Sequence, residues 1–456
     1  MRGTRTASPT DHTSRLGTRP VGPLLWRACV QTTASVGVYG IYALTNAWFV
    51  GHGVGDTAMA AVNLMAPLLL LLGAVSTTVG AGGASLVSRA LGAGDRRAAA
   101  RAAGNAFTLF WICAAVVTVL GLVLLDPLLT LLGAQGPLRE SARPYAVVLL
   151  SGSLVATGFS SLVRAEGRMG YSTLLWVVPV AVQIALDPLL IFGFDMGVRG
   201  AALGTVGGQL VSAAMSLWFF FLRRDRPYRV GLADLVPKGP TVRALLHVGM
   251  PSFLAGAGVT LLAVLINATL TAAGAVTALA AYAVCARLQM FVMMPHSGIS
   301  QGLQPIAGYN AGLGLTDRVL RARDLALLGS LLYGLVTAAA LALLAGPLVA
   351  LFLNDPETTA TAARALRVMA LGLAFAGIAP LVAAYFQSLG RPAPAYVISI
   401  GTLLLIKAPL VVALGQLGPT GVWAALTAGE LATAAVALLL LRRLRHRPGA
   451  AVPAGP

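Results

Sequence analysis

Four charged side chains stand out by where they fall. Asp187 sits in "QIALDPLLIF", Gln183 to Phe192, a stretch that is otherwise almost wholly apolar. Glu430, Lys407 and Arg287 also lie deep inside apolar runs. A charge at the centre of a bilayer costs roughly 2.5–3.5 kcal/mol on insertion scales, so each is a functional candidate by default. Pro188 has no N–H, and its ring crowds the carbonyl of Ile184, which predicts a bend in the helix. A freed carbonyl, the Gln183 side chain and the Asp187 carboxylate then fall within about one turn. Such a set of oxygens suits a proton or a small cation. The competing reading of Asp187 is a hydrogen-bonded structural carboxyl between helices.

Lys407 and Glu430 fall at similar depth in consecutive apolar runs. Adjacent antiparallel helices at equal depth invite a buried ion pair, which Arg287 is placed to join, so a structural charge network is the preferred reading. "MMPHSGISQGLQPIAGYN" interrupts an apolar run with Pro295 and Pro305 and carries Gln301 and Gln304. Interrupted helices of this kind line cavities in transporters. His296, beside the first break, reads as a hydrogen-bonding filler ahead of a titrating group. Tyr39, Tyr282, Met290, Met293 and Met294 offer adaptable apolar and cation–π surface, or simple packing.

No catalytic constellation accompanies these residues, and no GxxxxGK[ST] phosphate loop supports direct ATP drive. Cys29, Cys113 and Cys285 lie in apolar runs as small core residues, with no disulfide framework and no metal spacing. The expectation is neither an enzyme nor a holder of metal or cofactor.

The elements that position these residues are written in the composition. Of 456 residues, 57% are hydrophobic and 10% charged, with a mean hydropathy of +0.82. A soluble domain carries about a quarter charged residues. Apolar runs long enough to span a bilayer, roughly 17–25 residues each, recur about twelve times. Their continuity predicts helices over a β-barrel. The fold class expected is all-α integral membrane.

The net charge of +17 does not point to nucleic acid. Threading twelve spans with the N-terminus inside gathers most of the 32 basic residues on one side, including the run from Arg223 to Arg243, and leaves Arg139, Arg143, Arg199, Arg364 and Arg367 opposite. This positive-inside bias places both termini in the cytoplasm.

The chain also repeats itself. "PLLTLLG" at Pro127 is echoed by "PLVALFL" at Pro347, and "GDRRAAARA" by "TDRVLRARD". Pro188 answers Pro409, and Gly197 with Gly200 answers Gly418 with Gly421, all about 220 positions apart. Two halves of six spans each have the same orientation, a parallel internal repeat typical of secondary transporters. The expected organisation is a cytoplasmic tail over 1–22, a first six-helix lobe over 23–224, a cytoplasmic linker over 225–244, a second lobe over 245–443 and a disordered tail over 444–456.

The stretches "YALTNAWFVGHGVGDTAMAA", "SLVSRALGAGD", "LVRAEGR", "LDPLLIFGFDMGVRGAALGT", "GISQGLQPIAGYNAG" and "GVWAA" together resemble the multidrug and toxic compound extrusion (MATE) family, in the bacterial branch that includes the DNA-damage-inducible F transporters. The resemblance runs from about Trp26 to Arg443. It implies two six-helix bundles in the bacterial cytoplasmic membrane and antiport of amphipathic, usually cationic compounds against protons or sodium. The family's first-lobe cation site falls on Asp187, Tyr42 and Thr205, with Asn46 in place of a second aspartate. Gln183 stands in place of an asparagine, and Ser161 or Ser160 in place of another. One carboxylate with amides makes a weaker sodium site than two, so a proton is the coupling ion expected.

The leading function is therefore a proton-coupled exporter, acting as a monomer with small-molecule substrates. Three alternatives stand beside it: a dedicated exporter of a single metabolite, an anionic one being held by Arg287 and Lys407; a lipid-carrier flippase; and a channel or membrane scaffold, which needs no Asp187.

Overall fold

The structure, a computed structural model, describes residues 12–155 and 159–444, apart from the side chains of residues 39, 43, 56 and 66–71. The Tyr39 side chain, the first eleven residues and nearly all of the expected C-terminal tail thus lie outside the described residues.

Among the described residues there is no strand. Ten helical segments are long and apolar enough to cross a membrane. Two more helices precede them, α1 (Val21–Gly53) and α2 (Ala66–Gly92), of 33 and 27 residues. At about 1.5 Å per residue either exceeds the roughly 30 Å of a hydrocarbon core. In the first half the rest are α3 (Arg96–Val123), α4 (Gly136–Gly152, followed by Ser160–Ala165), α5 (Met169–Gly193) and α6 (Gly197–Leu222). The second half holds α7 (Gly239–Ala272), α8 (Val276–Gly312), α9 (Thr316–Leu343), α10 (Pro356–Ser388), α11 (Pro392–Gly415) and α12 (Pro419–Arg443).

Local chemistry sets the ends. Asp95 caps α3 by accepting from the Ala98 N–H at 2.8 Å, and Asp355 caps α10 by accepting from the Thr358 N–H at 2.8 Å. The turns repeat between halves. Left-handed glycines at Gly55, Gly94, Gly167 and Gly197 are matched by Gly274, Gly314, Gly390 and Gly418, again about 220 positions on.

The chain divides into two compact units. One comprises residues 1–19, 30–250 and 312–314; the other comprises 20–29, 251–311 and 315–456. The core of the first gathers Val50, Met65, Leu129, Tyr145, Leu150, Ile191 and Ala201. The core of the second gathers Ile266, Leu270, Cys285, Leu341, Leu366 and Trp423. Lipid tails are as apolar as leucine, so close helix approach, more than escape from water, holds such bundles. Helix α6 shows this against α5. A Cβ at Gly208 would come within 2.7 Å of the Pro179 carbonyl oxygen, and one at Gly200 within 3.0 Å of Leu190.

The stretch joining the halves is not a free loop. Leu232–Leu235 forms a helical turn. Asn105 of α3 donates to the carbonyls of Asp234 (2.9 Å) and Val236 (3.2 Å) and accepts from the Lys238 N–H (2.7 Å). Thr108 donates to the Leu235 carbonyl at 2.6 Å.

Candidate functional site

Helix α5 runs as α-helix to Pro188, with Pro179 and Pro188 each donating no backbone bond, and then widens into a π-helical turn over Leu189–Gly193. The widened turn lies downstream of Pro188, whereas the carbonyl that the proline leaves without its donor, that of Ile184, lies one turn upstream, so the irregularity is not where the sequence placed it. Gln183 and Asp187, one turn apart, face inward and are 5% and 0% exposed. Helix α6 faces them with Thr205, 3% exposed, and with Gly204. A Cβ at Gly204 would overlap Asp187 Oδ1, so the glycine forms the notch that admits the carboxylate. Helix α1 supplies Tyr42 and, one turn on, the buried Asn46.

A short polar chain links the three helices. Gln183 Nε2 donates to Thr205 Oγ1 at 2.9 Å, Thr205 Oγ1 donates to the Ala201 carbonyl at 3.1 Å, and Tyr42 Oη lies 3.5 Å from Thr205 Oγ1. Gln183 thereby turns its amide N–H toward Thr205. Among the described residues, neither Asp187 oxygen and not Asn46 Oδ1 has a hydrogen-bond donor. A buried acceptor left bare costs about 1–3 kcal/mol, and more when charged. The site is thus an oxygen-rich pocket in which the amide nearest Asp187, that of Gln183, is shared with Thr205, and among the described residues no ion pair reaches the carboxylate.

The remaining sequence candidates divide. Ser161 stands apart from this chain of bonds: its Oγ faces Gly80 of α2 and has no partner among the described residues. Ser160 is engaged elsewhere, accepting from Trp176 Nε1 at 3.0 Å. Lys407 and Glu430 do meet, Nζ to Oε1 at 2.7 Å, each side chain about a fifth exposed at 20% and 18%. Arg287 does not join them. It is exposed on α8, and among the described residues no ion pair reaches it. Its depth in the sequence matched theirs, but its helical face points elsewhere. Tyr282 stacks on Trp423, with centroids 6.2 Å apart, inside the second unit's core, so it belongs to packing and not to an open face. Met293 packs against the same core, while Gln301, Gln304 and Met294 are partly exposed.

Two buried polar clusters were not legible from residue spacing. His296 meets Ser330 of α9 at 2.8 Å. Glu166, at the turn before α5, pairs with Arg226, and their side chains are 0% and 1% exposed. The Arg226 guanidinium also lies over the rings of Phe220 (4.4 Å), Tyr228 (4.7 Å) and Phe219 (4.9 Å). Burial, followed by the Glu166 charge, pushes the Tyr228 hydroxyl well above its ordinary range. Nearby, a hydrogen bond from Arg223 holds the Asp225 carboxyl well below its usual range, and Arg168 adds a contact at 3.2 Å. The signal available in the sequence was a lone acid in the basic stretch "LVRAEGR".

Comparison with known proteins gives this geometry its context. The MatE family profile matches the chain twice, over residues 34–189 and 251–412, once in each half. The multidrug export protein MepA of Staphylococcus haemolyticus is 27% identical over 413 residues, covering 89% of this chain and 90% of its own. MepA of Staphylococcus aureus is 27% identical over 414 residues with the same coverage. Among solved structures, the outward-facing conformation of a multidrug resistance MATE family transporter of the MOP superfamily superposes with a TM-score of 0.89. It is 24% identical and covers 96% of this chain and 98% of its own. The twofold match mirrors the parallel repeat, and the chain belongs to the MatE family of multi-pass membrane transporters, not enzymes.

Proposed function

We propose that the protein is a proton-coupled antiporter that exports amphipathic, cationic organic compounds across the bacterial cytoplasmic membrane. It works as a monomer with both termini in the cytoplasm. One observation carries the coupling: Asp187 is wholly buried, and neither of its oxygens has a hydrogen-bond donor among the described residues. A proton satisfies such a carboxylate and leaves no net charge in the dry interior. Sodium asks for more. The Gln183 amide is turned to Thr205, and Asn46 stands where a second carboxylate would share the ion. The "multidrug export" function of the staphylococcal relatives supports the substrate class.

The exchange follows from the charge. Protonated, Asp187 is neutral and the site relaxes. Deprotonated, it is a bare anion that favours an open arrangement or a cationic substrate nearby. One charge moving down 100 mV supplies about 2.3 kcal/mol, a concentration ratio of roughly fifty. A second reading, export of an anionic metabolite, is favoured by the exposed Arg287 on α8. Reconstituted protein given a compound panel, with proton and sodium gradients imposed separately, tests both. Cation efflux under the proton gradient alone is expected. Transport of anions only, or a strict sodium requirement, contradicts the proposal.

A further inference from the structure

We propose that His296 is a second proton-binding site, built into the other half of the transporter and loading at Nε2. It lies beyond the Asp187 site and rests on the reading of the chain as a proton-driven exporter.

The geometry is that of an aimed, half-satisfied ring. His296 follows Pro295 in α8 and is 0% exposed. Its Nδ1 meets Ser330 Oγ of α9 at 2.8 Å. Its Nε2 is buried and has no partner among the described residues. With the shared proton donated from Nδ1 to Ser330 Oγ, Nε2 carries a bare lone pair, the form of imidazole that accepts a proton. A ring used only as filler has no need of this asymmetry, because an apolar side chain fills the space without an orphaned nitrogen.

The space is made for the ring. A Cβ at Gly377, in the break between the two stretches of α10, would overlap both His296 Nδ1 and Ser330 Oγ. Tyr333 holds the ring edge-on, with centroids 4.9 Å apart and planes at 78°. The titratable group facing the imidazole is thus Tyr333, whose hydroxyl is already committed to the Val292 carbonyl at 3.2 Å. On α9, Arg323 is seven residues from Ser330, about 10 Å along the helix, and is paired with Asp324. On α8 itself, Arg287 is nine residues away, about 13 Å. From α10, Gly377 brings no charge. No carboxylate faces the ring among the described residues, so a proton bound at Nε2 makes an uncompensated imidazolium that is readily given up again.

The design repeats that of Asp187 with the opposite charge logic. Each is a wholly buried titratable group beside a proline, set in a glycine notch, with a bare nitrogen or oxygen. Asp187 is neutral when loaded; His296 is neutral when empty. Two such groups let one transport cycle carry two protons.

The test is proton-to-substrate stoichiometry in proteoliposomes, read with an internal pH dye beside substrate flux from pH 4 to 7.5. The proteins are wild type, His296→Gln, Ser330→Ala and Asp187→Asn. His296→Gln keeps polarity and approximate size but cannot titrate. It is expected to keep substrate exchange while losing one proton per substrate and flattening the pH dependence. Ser330→Ala keeps the proton count and shifts the pH profile. Unchanged stoichiometry and pH profile in His296→Gln overturn the proposal. Should that variant not fold, an unmoved profile in Ser330→Ala overturns it instead. Asp187→Asn separates the two claims: full proton-driven transport there removes Asp187 from the mechanism, whereas the His296 result stands on its own stoichiometry.

Discussion

The α5–α6 hairpin and the α11–α12 hairpin are copies of one element, yet they treat a carboxylate in opposite ways. In the second, Glu430 is tied to Lys407 at 2.7 Å and each side chain is partly exposed. In the first, Asp187 is 0% exposed, and among the described residues it has no ion pair and no well-formed hydrogen bond. The backbones explain how both fit. Gly208 of α6 and its counterpart Gly429 of α12 each face the partner helix, the first against Pro179, the second against the Lys407 stem. Four residues earlier, Gly204 leaves a notch for the carboxylate, whereas the second hairpin has Ala425, with no carboxylate to accommodate. A paired charge is satisfied where it stands, which suits a brace. A bare one changes state whenever a proton arrives, and that is what coupling requires.

The sharpest way to press this contrast is at a pair with no exposure at all. Glu166→Gln strands Arg226 in the interior, and breaking a buried pair costs about 3–5 kcal/mol. Folded yield on size-exclusion chromatography is expected to collapse, while any protein that survives keeps its proton-to-substrate ratio. Next comes the braced hairpin. Glu430→Gln or Lys407→Met alone is expected to cost about 2 kcal/mol, reduced by the partial exposure of the pair. The double variant recovers most of that, because no charge is left alone. Thermal unfolding of the purified proteins checks it; single variants that fold normally but no longer transport make Glu430 part of the coupling path.

A smaller effect is expected at the notch. Gly204→Ala places a methyl on Asp187 Oδ1, an overpacking cost of about 1–3 kcal/mol. Adding Asp187→Ala relieves it, so the two changes together are more stable than Gly204→Ala alone. The smallest effect is the mirror change. Ala425→Gly removes a methyl that meets no carboxylate and costs about 1 kcal/mol of helix propensity, with transport unchanged. Equal losses of transport at Gly204→Ala and Ala425→Gly mean the hairpins are not specialised.

Much of this was visible in the sequence, and the reasons are specific. The twelve spans and the repeat follow from hydropathy and from glycines and prolines that recur in register. Asp187 was visible because a carboxylate among apolar residues is costly, and the Lys407–Glu430 contact because equal depth on consecutive spans brings side chains together. What stayed hidden depends on helix rotation and long-range contact. Arg287 has the right depth and the wrong face. Tyr282 has a cavity-lining residue type but stacks in the core. Gly204 and Gly377 carry no periodic signal, since a notch exists only once a neighbour fills it. Arg226 reads as a loop charge until the fold sets it against Glu166, 60 residues earlier.

The central claim is that the bare carboxylate of the first hairpin carries the driving proton. Substrate-induced proton movement tests it most directly, read by a pH dye inside proteoliposomes for wild type and Asp187→Asn, with substrate exchange as the control for folding. The account predicts that wild type moves protons opposite to substrate, and that Asp187→Asn exchanges substrate with fewer protons moved per substrate and gradient-driven efflux well below the wild-type rate. Gradient-driven efflux by Asp187→Asn at the wild-type rate contradicts it.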